Sequence, residues 1–298
     1  MTDASSMSRV AANGIDFAYL EAGPADGPLA LCLHGFPDHA PTFTSLLDAL
    51  GEAGFHAVAP WMRGYHPTAL AADGNYELAA LATDAVALAD ALAGDGDAVL
   101  VGHDWGAAAA YAAGAYRPDR FRRMVTMAVP PGPAVAGAFL TRPDQLKRSW
   151  YMFFFQHPLS ELAVPNDDFA FIDMLWRDWS PGYSADAGYM RGIKDAFAQP
   201  GGLNAALGYY RAMLNPSPDP DPALADARAV IGGPVRVPTL YLQGGDDQCM
   251  SHDLVDEAGF ASAFDAEAVY EVVPGAGHFL HLEQPDRVEA RIVEWLTA

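Results

Sequence analysis

The stretch Ala98-Val99-Leu100-Val101-Gly102-His103-Asp104-Trp105-Gly106 decides the fold of this chain. Its first half is apolar, as in a buried β-strand, and the alanines at 107–110 indicate the start of a helix. A strand, a sharp turn and a helix in this order form a nucleophile elbow, which needs small residues on both sides of the turn, here Gly102 and Gly106. Asp104 then stands at the position of the nucleophile. An Asp that caps the N-terminus of the helix would explain the same pattern.

Strands and helices alternate on both sides of the elbow. The segments 9–12 and 15–21 alternate in polarity and are joined at Asn13-Gly14, which indicates an antiparallel hairpin at the start of the chain. The apolar run at 29–33 is typical of a strand buried on both faces. This rhythm predicts an α/β fold with a mostly parallel sheet flanked by helices. Further strands are expected at 55–59, 124–128, 239–242 and 268–273, and helices at 42–53, 77–93, 254–261 and 286–296.

The alternation is interrupted after residue 130. Prolines at 130, 131 and 133 open a region rich in aromatic residues in which we find no clear strand, and short helices are expected at 145–156, 168–179 and 202–214. A mainly helical segment between two parts of a parallel sheet indicates an inserted cap. We therefore expect an α/β core formed by residues 1–130 and 234–298, with a helical cap at 131–233.

The composition limits the partners of the protein. The 298 residues include 38 acidic and 17 basic side chains, a net charge of −21, which disfavours nucleic acid and anionic membranes. The chain has no apolar run of membrane-spanning length and no signal peptide, so we expect a cytoplasmic protein. Cys32 and Cys249 have spacings that suggest neither a disulfide framework nor a metal cluster, and we expect no metal and no cofactor. The oligomeric state stays open, with a homodimer as one possibility.

Two later loops supply partners for a nucleophilic Asp104. Asp is ionised at pH 7, since its ordinary pKa is ~3.9, but the ester that it forms needs a general base to activate water. His278 lies in the glycine-containing loop 274–279 after the last predicted strand and is our candidate base. Its rival His281, between two leucines, fits a structural role better.

The acid that orients the base is expected after the preceding strand. Asp246 and Asp247 both follow the strand at 239–242, and we choose Asp247. The order nucleophile, acid, histidine is then the order of a nucleophile-elbow triad. Taken singly, each carboxylate would be explained by a turn or a helix cap. Their joint occurrence with the elbow favours catalysis.

The turn His34-Gly35-Phe36-Pro37 forms the other wall of the predicted site. The backbone N–H groups of Phe36 and Trp105 are placed to stabilise an oxyanion, and Pro37 would hold Phe36 in position through a cis peptide bond. We expect His34 to be structural, and His103 to belong to the elbow without a chemical role.

These motifs resemble those of the α/β-hydrolase epoxide hydrolases, the relatives of soluble epoxide hydrolase. His34 to Pro37 matches their HGxP motif, 102–106 their aspartate elbow, Asp247 their charge-relay acid and Gly277-His278 their histidine. The resemblance implies hydrolysis of an epoxide by water to a vicinal diol through an aspartyl ester.

The same resemblance implies two cap tyrosines that hydrogen-bond the epoxide oxygen and protonate it. Tyr151 and Tyr210 stand at those positions, with Tyr209 as the residue most easily confused with Tyr210. The aromatic residues of the cap, Phe154 among them, suggest an apolar epoxide that also contacts Phe36 and Trp105. The alternative for all of these aromatic residues is packing within the cap.

Three other functions share parts of this pattern. Haloalkane dehalogenases use the same triad, but they typically have Asn at position 36, where this chain has Phe36. Fluoroacetate dehalogenases carry Arg after the nucleophile, where this chain has Trp105, and a carboxylic-ester hydrolase would normally need Ser at position 104. A ligand-binding protein that kept the fold and lost the chemistry is the alternative outside the enzymes.

Overall fold

The structure is a computed structural model that describes residues 7–94 and 96–298. Within these residues, eight strands form one sheet in the order β1-β2-β4-β3-β5-β6-β7-β8. The strands are β1 (Ser8–Ala12), β2 (Ile15–Ala22), β3 (Leu29–Leu33), β4 (His56–Pro60), β5 (Ala98–His103), β6 (Phe121–Met127), β7 (Thr239–Gly244) and β8 (Ala268–Val273).

The pairing of the strands confirms the predicted fold class. β1 runs antiparallel to β2, and β2 runs antiparallel to β4, whereas all the other neighbours are parallel. β3, β4 and β5 are fully buried, as the continuous apolar run in β3 predicts. Because β3 pairs with β5, the loop that follows Leu33 lies beside the loop that follows His103. The carboxyl ends of the parallel strands therefore gather the predicted site at one edge of the sheet.

Fourteen α-helices accompany the sheet in the described part of the chain. Trp295, in the last of them, donates its indole N–H to the carbonyl of Met124 at 2.9 Å and so fixes that helix to β6. The helices are α1 (Thr44–Glu52), α2 (Leu78–Ala93), α3 (Trp105–Tyr116), α4 (Gly132–Thr141), α5 (Pro143–Arg148), α6 (Trp150–Phe154), α7 (Ser160–Ala163), α8 (Asn166–Trp179), α9 (Ala187–Ala198), α10 (Gly202–Leu214), α11 (Ala225–Val230), α12 (Glu257–Ala261), α13 (Leu280–Glu283) and α14 (Pro285–Thr297).

Helices α4 to α11 all lie between β6 and β7, in the segment expected to form the cap. Four of them, α4, α7, α9 and α11, were not anticipated. Pro133 lies in the first turn of α4, where a missing backbone N–H costs nothing, so this proline begins a helix instead of interrupting the chain. Helix α9 begins at Ala187 after the side chain of Asp186 accepts hydrogen bonds from the N–H groups of Gly188 and Tyr189.

No helix in residues 7–94 and 96–298 combines the length and the apolar character that a membrane-crossing segment requires.

Candidate active site

Asp104 occupies a strained turn between β5 and α3. Its φ of 53° and ψ of −116° lie in a region of backbone conformation that residues other than glycine rarely adopt. Such a conformation costs about 1–3 kcal/mol of folding free energy. The neighbouring backbone is so close that a Cβ atom on Gly106 would lie 1.9 Å from the carbonyl oxygen of Leu33. A Cβ on Gly35 would lie 2.3 Å from Oδ1 of Asp104. Glycine is therefore required on both sides of this carboxylate.

The side chain of Asp104 does not cap α3. No N–H of the helix donates to it, and its Oδ1 atom instead accepts the backbone N–H of Phe36 at 2.7 Å. The capping interpretation of the elbow is therefore wrong. The Phe36–Pro37 peptide is cis, as the sequence predicted.

The structure brings His278 and Asp247 to the same carboxylate. Nδ1 of His278 lies 3.0 Å from Oδ2 of Asp247, and Nε2 of His278 lies 3.7 Å from Oδ2 of Asp104. All three side chains are buried. Asp246 is exposed and forms no such contact. His281 is also buried, but its Nε2 pairs with the hydroxyl of Thr42 at 2.6 Å, which agrees with the structural role expected for it.

Asp247 is held in place from several sides. Its Oδ1 atom accepts the backbone N–H groups of Cys249 at 2.7 Å and Met250 at 2.9 Å. Its Oδ2 atom accepts the side-chain amide of Gln243 at 3.0 Å in addition to the bond from His278. These bonds fix the orientation of the Asp247 carboxylate relative to the imidazole of His278.

His278 has a perturbed pKa. Burial by itself would lower the pKa, but Cys249, Asp247 and Asp104 oppose it, and together they raise the pKa of His278 well above 6.5. Since burial raises the pKa of the Cys249 thiol itself, the two carboxylates provide this effect at neutral pH. The position of His278 beside these two carboxylates therefore favours its protonated form.

The two cap tyrosines reach the same region, but their hydroxyl groups differ. Tyr151 and Tyr210 are fully buried, and their rings meet edge to face with centroids 5.7 Å apart. Burial, with the charge of Asp104 among the further causes, raises the pKa of both well above 10, so both stay protonated. Oη of Tyr151 lies 3.4 Å from Sγ of Cys249, whereas Oη of Tyr210 has no hydrogen-bond partner in the described residues.

Tyr209 uses its hydroxyl in a different hydrogen bond. Its hydroxyl donates to the backbone carbonyl of Arg63 at 2.7 Å and is thereby occupied. Tyr210, and not Tyr209, keeps an available hydroxyl near Asp104.

Aromatic rings surround the carboxylate. Phe36 is fully buried, and Trp105, the first residue of α3, meets the ring of Tyr210 edge to face at 5.1 Å. Phe155 packs against Phe36 at 5.5 Å and against Tyr210 at 5.2 Å.

Phe154, which the sequence analysis placed on the substrate, is half-buried and stacks on Phe171 at 5.8 Å. Phe155, the next residue, is fully buried and also packs against Phe171, at 5.9 Å. Contact between Phe154 and the substrate stays a prediction.

Several polar residues near the site were not anticipated. Tyr65 is buried, its hydroxyl has no partner among the described residues, and the charge of Asp104 is one cause of its raised pKa. Asp38 accepts the hydroxyl of Tyr189 and the N–H of His39, and burial raises its pKa to about 7. The position of Asp38 directly after the turn at 34–37 was the available signal, whereas nothing in the sequence pattern singled out Tyr65.

The histidines of the two motifs have structural partners. Nε2 of His34 accepts the N–H of Met62 at 3.0 Å, and Nε2 of His103 lies 2.9 Å from the carbonyl oxygen of His278. The first bond fixes the turn at 34–37, as expected. The second connects the end of β5 to the loop that carries the candidate base.

Among residues 7–94 and 96–298, two groups of buried side chains have metal-binding atoms close together. Atoms of Asp38, His103 and His281 lie within 4.8 Å of one another, and so do atoms of Asp247, Cys249 and His278. Asp247 and His278 are already hydrogen-bonded to each other. We assign no metal to either group.

Comparisons with known proteins agree with this fold. A model described as "Alpha/beta hydrolase family" matches residues 30–291. Epoxide hydrolase 3 of Xenopus tropicalis is 30% identical over 97% of this chain and 76% of its own length. Epoxide hydrolase A of Mycobacterium tuberculosis is 28% identical over 96% of this chain and 95% of its own length.

A solved structure adds to this similarity. The crystal structure of an epoxide hydrolase from Vigna radiata superposes with a TM-score of 0.80 and 27% identity, and it covers 100% of this chain and 99% of its own. These relatives and this structure span nearly the whole chain, and the family model spans residues 30–291. The chain belongs to the alpha/beta hydrolase family.

Proposed function

We propose that this protein is an epoxide hydrolase that converts an apolar epoxide into a vicinal diol. The similarity to named epoxide hydrolases supports the activity. The observation that supports its chemistry most directly is the position of Asp104, between the N–H of Phe36 and the imidazole of His278 and close to two protonated phenols. Residues 131–233 are proposed to act as the cap that places these phenols over the nucleophile.

In the first step, a carboxylate oxygen of Asp104 attacks a ring carbon of the epoxide. Oδ1 accepts the N–H of Phe36, so Oδ2 is the oxygen with a free lone pair for the attack. The C–O bond of the ring breaks, and the departing oxygen takes a proton from the phenol of Tyr151 or Tyr210. Proton donation is needed because an alkoxide is a poor leaving group among the apolar rings of Phe36 and Phe155.

The ester changes the electrostatics at His278. Esterification removes the negative charge of Asp104, one of the groups that raise the pKa of His278, so the pKa falls as the intermediate forms. The imidazolium proton restores the phenol, and neutral His278, oriented by Asp247, becomes the base for the second step.

In the second step, His278 takes a proton from water, and the hydroxide attacks the carbonyl carbon of the ester. The oxyanion develops on Oδ1, which the N–H of Phe36 already contacts, and Trp105 is proposed to supply the second N–H. Collapse of this intermediate expels the alkoxide of the product, which takes the proton from His278 and leaves as the diol. The carboxylic acid that remains at Asp104 returns its proton to His278, which restores the carboxylate and the imidazolium. Since water enters only here, the oxygen added to the product comes from Asp104 in the first turnover.

Aromatic walls and surface charge suggest the class of substrate. Phe36, Trp105 and Phe155 offer no charged group to the epoxide, and a net charge of −21 disfavours an anionic one. We therefore propose an alkyl or aryl epoxide.

The test is incubation of the purified protein with styrene oxide, 1-bromobutane and p-nitrophenyl butyrate in parallel, with Asp104→Ala as the matched control. We expect diol from styrene oxide, none with the variant, and little release of bromide or p-nitrophenol. Bromide release without diol would assign the triad to dehalogenation, and p-nitrophenol release would assign it to ester hydrolysis. Inactivity towards all three substrates would count against the proposal.

A further inference from the structure

Cys249 lies close to residues that are proposed to act in both steps of the reaction, Tyr151 in the first and His278 in the second. It follows Asp247 by two residues, it is fully buried, and its Sγ atom lies 3.4 Å from the hydroxyl of Tyr151. One atom from each of Asp247, Cys249 and His278 lies within 4.8 Å of the other two. The thiol therefore lies beside both the proposed acid and the proposed base.

The backbone of Cys249 is fixed on both sides. Its N–H donates to Oδ1 of Asp247 at 2.7 Å, and its carbonyl oxygen accepts the side-chain amide of Gln145, on cap helix α5, at 2.8 Å. The N–H of Ser251 in the same loop donates to Oε1 of Gln145 at 3.2 Å. The loop that orients His278 through Asp247 is thus also bonded to the cap, and the sulfur has a defined position.

The thiol of Cys249 is a weak hydrogen-bonding partner for the hydroxyl of Tyr151. A thiol is a weak donor and its sulfur a weak acceptor, so the hydroxyl of Tyr151 leaves Sγ at little cost when an epoxide oxygen arrives. A serine hydroxyl at the same position would form a stronger bond and hold the phenol back. Tyr210 meets no such competition, because its hydroxyl has no partner in the described residues.

We propose that Cys249 is a positioning residue that sets how far Tyr151 shares the epoxide oxygen with Tyr210, and thereby which ring carbon faces Asp104. This inference rests on the proposed epoxide hydrolysis. The epoxide oxygen settles between the two phenols according to how freely each can donate. A shift of that oxygen towards one phenol turns the ring and presents a different carbon to Oδ2 of Asp104.

The test compares Cys249→Ser and Cys249→Ala with wild type, and uses Cys32→Ala as the matched control, since Cys32 is the other buried free cysteine and lies within β3. Ester formation and ester hydrolysis are measured separately by rapid quench and mass spectrometry. The carbon attacked in styrene oxide is identified from the position of ¹⁸O in diol made in H₂¹⁸O. Thermal unfolding checks that each variant is folded.

We expect Cys249→Ser to slow ester formation by about fivefold, the effect of one competing hydrogen bond, while the rate of ester hydrolysis stays within about twofold. Cys249→Ala should not slow ester formation, and the ratio of attack at the two carbons should change between the Ser and Ala variants. Cys32→Ala should match wild type in both respects.

Equal slowing of both steps, or an unchanged ratio of attack in both variants, would overturn the role of Cys249. A destabilised Ser variant leaves the Ala variant to decide through the ratio of attack alone. Failure of the wild type to form diol would remove the proposed function as well, whereas diol formation with unaltered variants contradicts the role of Cys249 only.

Discussion

Nε2 of His278 lies 3.7 Å from Oδ2 of Asp104, which is too far for a hydrogen bond and close enough for an ion pair. The oxygen that faces the imidazole is also the one that the N–H of Phe36 leaves free. Asp104 and His278 thus face the same space. In the proposed reaction, a ring carbon of the epoxide occupies this space first and a water molecule occupies it later.

Replacing the base should separate the two proposed steps. In His278→Gln the carboxylate of Asp104 is retained, so we expect alkylation to continue while ester hydrolysis stops. Intact-protein mass spectrometry should then show an increase equal to the mass of the substrate. An unmodified variant after long exposure to a substrate that wild type hydrolyses would contradict a covalent intermediate.

Asp104→Asn should mimic the charge of the ester. The neutral amide removes one of the groups that raise the pKa of His278, so we expect that pKa to fall. The fraction of neutral imidazole at pH 7 should rise accordingly. Titration of the ¹⁵N-labelled imidazole by NMR measures this in both proteins. The same pKa in the variant and in wild type would argue against the proposed switching of His278 from acid to base.

Loss of the Tyr210 hydroxyl should reduce activity much more than loss of the Tyr209 hydroxyl. Tyr210→Phe removes the phenol that has no other partner among the described residues, and we expect kcat/KM for styrene oxide to fall by roughly 10²-fold, in the range of general-acid effects. Tyr209→Phe is the matched control, because the hydroxyl of Tyr209 bonds the carbonyl of Arg63.

The control should lose about 1 kcal/mol of unfolding free energy and keep its activity. The assignment of Tyr210 fails if the two variants lose activity to the same extent.

Asp247 and the adjacent Asp246 should likewise differ in their effect on activity. Asp247→Asn leaves a side chain of equal size but no charge opposite His278, and we expect kcat to fall by roughly 10³-fold or more, as in other triads. Asp246 is exposed, so Asp246→Asn should behave as wild type. Steady-state kinetics on both variants decides the assignment, and a strong loss with Asp246→Asn would reverse it.

The sequence was sufficient for the features that depend on local geometry. Gly102 and Gly106 identified the elbow because close backbone packing permits no Cβ there, and the order of the elements predicted which loops meet at the edge of the sheet. Which of the three consecutive phenylalanines at 153–155 is fully buried could not be read from the sequence, since such a run carries no sign of which ring faces inward. Cys249 was overlooked for a similar reason: its contact with Tyr151 joins residues that are 98 positions apart.

The bond between Nε2 of His103 and the carbonyl of His278 has a consequence for the whole cycle. It joins the strand that carries the attacking carboxylate directly to the loop that carries the imidazole. The phenols of Tyr151 and Tyr210 lie on separate elements, helices α6 and α10. Any displacement of those helices would leave the carboxylate and imidazole intact but without a proton for the departing oxygen.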